Sequence, residues 1–302
     1  MDIIGALKQV KHQFFLVNKK YGNPARDSLY KRMSKSKKYA YDPKKYVQRG
    51  AGVTIDKSST FIVNHLRFNK TYDVASPLAS APHRLFVIWA GDNEMPDRRR
   101  ESLAYIQKTN PEFTVELVTP ENLHEYVVPE HPVHPAYKHL SYVHRSDYLR
   151  GYLMHHYGGA YVDLKPMIGS WSEVLDKLNS DDNIWVSGAP EIGYWNVAKP
   201  SGTLGTDLVI NYSNIAAQSA MACKPYSPLT YEWMAEVDRR MDYFSSLLYE
   251  GCAEQPYGMN PEYPIQWSNL MGQVFSSLCF KYMDHVEPIQ GMRYDDMPNG
   301  YR

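Results

Sequence analysis

The sequence predicts an α/β fold built on a buried parallel sheet, and two stretches carry that prediction. In the first, residues 85–89 (LFVIW) form a continuous apolar run between polar flanks, the pattern of a strand covered on both faces. Pro96 and Asp97 then open a charged segment through 98–108 that suits a helix, and residues 114–118 (TVELV) read as a second strand. Strand, helix and strand at this spacing make a βαβ unit, whose crossover is almost always right-handed. The second stretch, 144–166, reads HRSDYLRGYLMHHYGGAYVDLKP and predicts helix, glycine turn and strand.

In that stretch Ser146 is the expected helix cap, and Tyr148, Leu149, Tyr152, Leu153 and His156 recur at helical spacing to give one apolar face. Asp147 and Arg150, three apart, are expected as neighbours on the polar side of the first turn. Gly158 and Gly159 end the helix in a geometry that glycine adopts cheaply, and residues 160–164 become a buried strand. Asp163 then falls at the carboxyl end of a strand, where open α/β sheets bind ligands.

Elsewhere the signals are weaker. The first 80 residues show no clean period beyond a short helix near 3–17, and they end in SPLASAPH, which reads as a linker. Helices are expected near 172–178, 229–248 and 268–282 and a strand at 184–187, with an irregular tail. The expected organisation is a basic N-terminal extension over 1–80 and one domain over 81–302.

Composition sets outer bounds. A chain of 302 residues, 43% hydrophobic and 22% charged, is an ordinary globular protein able to bury a core without metals or disulfides. Its three cysteines, Cys223, Cys252 and Cys279, have neither metal-type nor redox-type spacing, which fits a reducing compartment. The N-terminal segment is interrupted by Lys8, Lys11 and His12, unlike a signal peptide or a membrane span, so the expected location is cytoplasmic. The zero formal charge divides into +10 over residues 1–50 and −10 over the remainder. The run KRMSKSKK at 31–38 therefore offers a basic arm to an anionic membrane surface; nucleic acid is not the expected partner.

His131, His134, His139 and His144 lie in and after a Pro-rich connection without helical register, and they are expected to be solvated rather than metal ligands. Walker, Rossmann and Gly-x-Ser-x-Gly motifs are lacking, which disfavours kinases, dehydrogenases and hydrolases.

Ser146, Asp147, Arg150, Gly158, Gly159, Tyr161 and Asp163 fall into one frame: S-D, two apolar residues, R, then G-G-hydrophobic-Y-hydrophobic-D-x-D. That frame resembles the DXD-containing sugar transferases, which include capsular polysaccharide synthesis proteins, yeast-type initiating mannosyltransferases and clostridial glucosylating toxins. The upstream IWAGDNEMP resembles the first strand of that family. The resemblance implies a GT-A-type nucleotide-sugar-binding domain, a mixed, mostly parallel sheet flanked by helices. It implies transfer of a sugar from a nucleotide-diphosphate donor, UDP- or GDP-linked, to a glycan acceptor with retention of configuration.

By the same likeness Trp89 packs on the base, Asp147 and Arg150 contact sugar, ribose or diphosphate, and Gly159 belongs to the donor motif. Asp163 binds the ribose and the water of a Mn2+ or Mg2+ ion. QSAMACKP resembles a later family segment and places Gln218 and Lys224 near the donor sugar, with Trp267 and His285 as closing residues.

One position departs from the frame. The second Asp of the DXD is replaced by Lys165, which in its charged form repels a metal rather than ligating one. Three outcomes follow: Lys165 replaces the cation as electrostatic catalyst, a metal binds through Asp163 and other groups, or the chain is a non-catalytic binding or scaffolding protein.

Overall fold

A computed structural model of the chain describes residues 22–36, 42, 77–198, 200, 202–254 and 256–295. The expected helix near 3–17 and most of the basic extension lie outside the described residues. The elements in order are α1 (Asn23–Ser36), β1 (Arg84–Ile88), α2 (Asp97–Thr109), β2 (Thr114–Val118), α3 (Tyr142–His156) and β3 (Gly159–Val162). There follow β4 (Met167–Ile168), α4 (Trp171–Ser180), β5 (Val186–Pro190), α5 (Thr203–Ile210) and β6 (Ala216–Cys223). The last are α6 (Pro228–Glu250), α7 (Gly272–Lys281), β7 (Val286–Pro288) and β8 (Arg293–Tyr294).

Six strands form one sheet in the order β2-β1-β3-β6-β5-β7, while β4 and β8 make a separate antiparallel pair. Within the main sheet β6 alone runs against its neighbours, so its amino end lies beside the carboxyl ends of β3 and β5. The strands alternate between two cores. Leu85, Val87, Ala160 and Val162 face one core with Ile106 of α2 and Trp171 of α4, while Phe86, Ile88 and Tyr161 face the other with α3, α6 and α7. This is helix, sheet, helix layering, with buried strands reading as apolar runs.

The sequence placed β1, α2 and β2 to within a residue, and several expectations elsewhere are corrected. Helix α3 is capped by Ser141, whose Oγ accepts the His144 N–H, rather than by Ser146, which lies inside the helix. Asp147 and Arg150 therefore sit beyond the first turn, and both are buried. The helix is enclosed between the sheet and α6, with Gly151 lying against the Trp233 indole. Burial of Leu149 and Leu153 there contributes roughly 1.5–3 kcal/mol each.

The linker-like stretch ends in a docked residue: Ala81 is buried and exchanges two hydrogen bonds with the Asn179 side chain. In the described part of the expected irregular tail, β7 pairs in parallel with β5 and β8 pairs with β4. Helix α1, within the expected extension, packs on α5 and is joined to Asn211 and Asn214 through Ser34. Among the described residues no helix is long and apolar enough to cross a membrane.

Candidate functional site

The sheet topology brings four charged side chains to the carboxyl end of β3. Gly158 (φ +63°) and Gly159 (φ +83°) reverse the chain after α3, and a Cβ on Gly159 would lie 2.7 Å from the Arg84 carbonyl oxygen. The turn thus sends β3 between β1 and β6 with Tyr161 facing α3, and Asp163 follows on the same face two residues later. Arg150, from α3, reaches across to this strand end. Its Nη2 lies 3.6 Å from Asp147 Oδ1 and 3.5 Å from Asp163 Oδ1, and it donates to the Tyr161 hydroxyl at 3.1 Å.

Nη1 of Arg150 donates to the Gln218 carbonyl at 2.9 Å, which ties α3 to β6. The guanidinium stacks over the Tyr161 ring, while its Nε is buried without a hydrogen-bond partner among the described residues. Asp163 is the most committed member. Its Oδ1 accepts the Tyr161 hydroxyl at 2.9 Å, its Oδ2 accepts Lys165 Nζ at 2.9 Å, and its backbone N–H donates to the Ser219 carbonyl.

The two carboxyls respond differently to the same guanidinium. Burial pushes Asp147 up to about 7, with Arg150 opposing and the charge of Asp163 adding to the rise. Burial also raises Asp163, but Lys165 and Arg150 outweigh it and hold that carboxyl below the ordinary value. Asp147 therefore exchanges its proton close to neutrality, and Asp163 stays ionised.

Lys165 is placed by the backbone as well as by charge. Its N–H donates to the Asp163 carbonyl at 2.6 Å, a three-residue turn that folds the side chain back over Asp163. Its ammonium lies 4.7 Å from the Tyr294 ring centroid, and the Tyr294 hydroxyl donates to the Ser219 carbonyl. Arg99 of α2 fixes the same loop by donating to the Leu164 carbonyl at 2.7 Å. Tyr294 and Arg99 were not singled out in the sequence; the first comes from a remote strand pair, and no local signal marks either.

The other expected residues divide by sheet end. Trp89 follows β1 at the carboxyl edge, half-buried, with its indole N–H donating to the Asn93 carbonyl at 2.8 Å. Gln218 lies at the amino end of β6, at the same edge. Gly159, Lys224 and His285 lie at the opposite edge; Gly159 is in its expected turn, whereas for Lys224 and His285 this corrects the expected nearness to the donor. Gly159 opens β3 and pairs with Cys223, so roughly 13 Å of strand separates it from Asp163. Lys224 is buried and donates to the Asp181 carbonyl at 2.9 Å, where it holds the turn after α4. His285 precedes β7 and stacks on Trp185 with ring centroids 3.6 Å apart.

Trp267 is 53% exposed, and its loop is anchored by His144, whose Nε2 contacts the Gln266 carbonyl. Two of the four histidines expected to be solvated are corrected. His144 is buried against Tyr263, and His131 lies between His156 and Asp238, with both contacts at 2.8 Å.

Among the described residues no three His, Cys, Asp or Glu side chains converge as a metal cage. With Asp163 committed to an ammonium and a phenol, the donor set at this edge does not fit a divalent cation.

The cluster lies within the reach of a recognisable family pattern. The capsular polysaccharide synthesis protein family matches residues 13–165, a span that includes Trp89, Asp147, Arg150 and Asp163 and ends on Lys165. This chain belongs to that family. No curated protein and no solved structure matches it. Membership in a capsular polysaccharide synthesis family associates the chain with polysaccharide biosynthesis, and the match takes in the βαβ unit and α3–β3, the part of the fold that builds the charged cluster.

Proposed function

We propose that this family member is a glycosyltransferase of GT-A type, taking a sugar from a nucleoside diphosphate sugar and placing it on a glycan hydroxyl. The observation that carries the reading is the convergence of Asp147, Arg150, Asp163 and Lys165 at the carboxyl end of β3, on the same sheet edge as Trp89. In an open α/β sheet this edge is where ligands bind.

In this reading the bond between the sugar C1 and the diphosphate oxygen breaks and a bond from C1 to the acceptor oxygen forms. The acceptor proton passes to the departing phosphate, with retention of configuration. The protein must then stabilise charge growing on the diphosphate, and Lys165 is the cation positioned to do so. Asp147 and Asp163 accept hydrogens from donor hydroxyls. Arg150, whose amino groups already serve Tyr161 and Gln218, is a positioning residue that holds the two carboxyls in register.

The test is a screen of UDP-, GDP-, ADP- and TDP-sugars by hydrolysis and thermal shift, each with manganese and with EDTA. One nucleotide series is expected to stabilise the protein and to be hydrolysed in EDTA, and Asp163→Asn is expected to lose turnover by orders of magnitude. Complete loss in EDTA restored by manganese would remove Lys165 from the cation's role. Binding without turnover would favour the non-catalytic alternative, to which the engagement of both Asp163 oxygens lends its own support.

A further inference from the structure

A cavity opens beside the charged cluster, at the carboxyl end of β5. It holds about 220 Å3, and its walls include Glu191, Asn196, Gln218, Ser219, Arg293 and Tyr294. Three of these also wall the cluster. Arg150 donates to the Gln218 carbonyl, and the Asp163 N–H and the Tyr294 hydroxyl both donate to the Ser219 carbonyl. The cavity and the cluster are therefore two sides of one strand end.

The strand order fixes a sequence of chemistries along this edge. From β1 to β5 it runs Trp89, Asp163 with Lys165, Gln218 with Ser219, and then Glu191. On the transferase reading, a nucleotide seated at Trp89 with its diphosphate at Lys165 would direct its sugar toward β6. The next space along the edge is the Glu191 cavity.

Glu191 is buried, and its carboxyl takes a hydrogen bond from the Gln218 backbone. Burial pushes that carboxyl up to about 7, so both its protonated and its ionised form are available to a hydroxyl near neutrality. Asn196 adds a donor and an acceptor. Ile192, in the wall, is 61% exposed, and Trp195, farther along the same loop, is 53% exposed. The Trp195 ring lies against Gly193, where a Cβ would come within 2.6 Å of it. Polar groups inside, with an exposed indole on the loop that carries Glu191 and Asn196, match a sugar, which presents hydroxyls at its rim and C–H groups on its faces.

We propose that this cavity is the acceptor subsite, that it takes the terminal sugar of a glycan, and that Glu191 hydrogen-bonds an acceptor hydroxyl while Trp195 stacks on the ring. The inference rests on the transferase reading above, with Glu191 binding the acceptor rather than reacting with it. Gly193 is part of the device, since only a residue without Cβ lets the indole rest on the loop backbone.

The experiment is saturation-transfer NMR on the full chain with UDP or GDP present. The probes are the methyl α- and β-glycosides of glucose, galactose and mannose, applied to wild type, Glu191→Gln and Trp195→Ala. At least one methyl glycoside is expected to bind wild type and to bind each variant about tenfold more weakly or worse, as the loss of a hydrogen bond to a carboxyl or of a stacking face implies. The nucleotide-induced thermal shift should be the same in all three proteins, and Trp195→Ala, being exposed, keeps the test independent of the fold. Glycoside signals unchanged in both variants overturn the proposal, as does a wild type that binds none of the six. A variant that loses the nucleotide shift also overturns it, by moving the cavity to the donor. Failure of every nucleotide to shift wild type overturns the transferase reading instead.

Discussion

Lys165 folds back onto Asp163, with its Nζ 2.9 Å from Asp163 Oδ2 and its backbone N–H donating to the Asp163 carbonyl at 2.6 Å. One tight turn therefore holds a positive charge against the Asp163 carboxylate. An ammonium held by the backbone costs little reorganisation when charge develops beside it.

Removing that ammonium is the first prediction. Lys165→Ala should lower turnover of the cognate nucleotide sugar in excess EDTA by about 10²–10³, the usual loss for one preorganised electrostatic contact. Lys165→Asp creates a pair of carboxylates and should make the residual activity depend on manganese. Initial rates of donor hydrolysis with and without EDTA measure both, and equal rates for wild type and Lys165→Ala would remove the lysine from the chemistry.

Much of the fold was legible because its signals are local. A strand covered on both faces is a run of apolar residues, and the glycine pair before β3 meets a positive-φ requirement that the sequence declares. Strand β6 was not legible. Its sequence AAQSAMAC is built of small residues that disfavour strands in isolation, and it forms one because β3 and β5 pair with it on both sides. The helix cap was misplaced for a related reason. Ser141 and Ser146 are equally good caps, and only packing decides between them. Asp147 and Arg150 read as neighbours on the polar side of the first turn, and their burial was not legible because their partner Asp163 belongs to a different element.

Lys224 separates inheritance by likeness from position in the fold. Its ammonium is buried against the Asp181 carbonyl at the amino edge of the sheet, far from Asp163. Lys224→Met should cost roughly 1–2 kcal/mol by orphaning that carbonyl, while the donor-induced thermal shift remains that of wild type. Urea unfolding gives the first quantity. Loss of donor binding at full stability would return Lys224 to the site.

The ion pair between Lys281 of α7 and Glu232 of α6 is a structural device away from the cluster. Lys281 Nζ lies 2.6 Å from Glu232 Oε2, and the Tyr282 hydroxyl donates to the same oxygen at 2.7 Å. Both charged side chains are buried, so removing one strands the other. Lys281→Ala should cost about 3–5 kcal/mol, whereas Glu232→Leu with Lys281→Met should stay within about 1 kcal/mol of wild type. A double-mutant cycle in urea decides between these, and additive costs would show that the pair does not act as a unit.

His144 and Asp147, one turn apart on α3, impose opposite pH dependences on stability. His144 is buried between Tyr263 and the Gln266 carbonyl, and burial pushes it down to about 4. Its unfolded form binds more protons between about pH 6.5 and 4, so its contribution, at most about 3 kcal/mol, is present above that window and lost as pH falls through it. Asp147 is raised to about 7 in the folded protein, which therefore binds more protons than the unfolded chain between about pH 4 and 7. Its contribution is fully present below that window and is lost as pH rises through it, by up to roughly 4 kcal/mol. In wild type the two slopes largely cancel between pH 4 and 6.5. Asp147→Asn should uncover the histidine, giving stability that climbs with pH over that range relative to wild type. His144→Gln should uncover the aspartate, giving stability that declines from pH 4 to 6.5 relative to wild type. Thermal midpoints of the three proteins at pH 4.5, 5.5, 6.5 and 7.5 test this, and three parallel profiles would show that neither group is protonated as its burial requires.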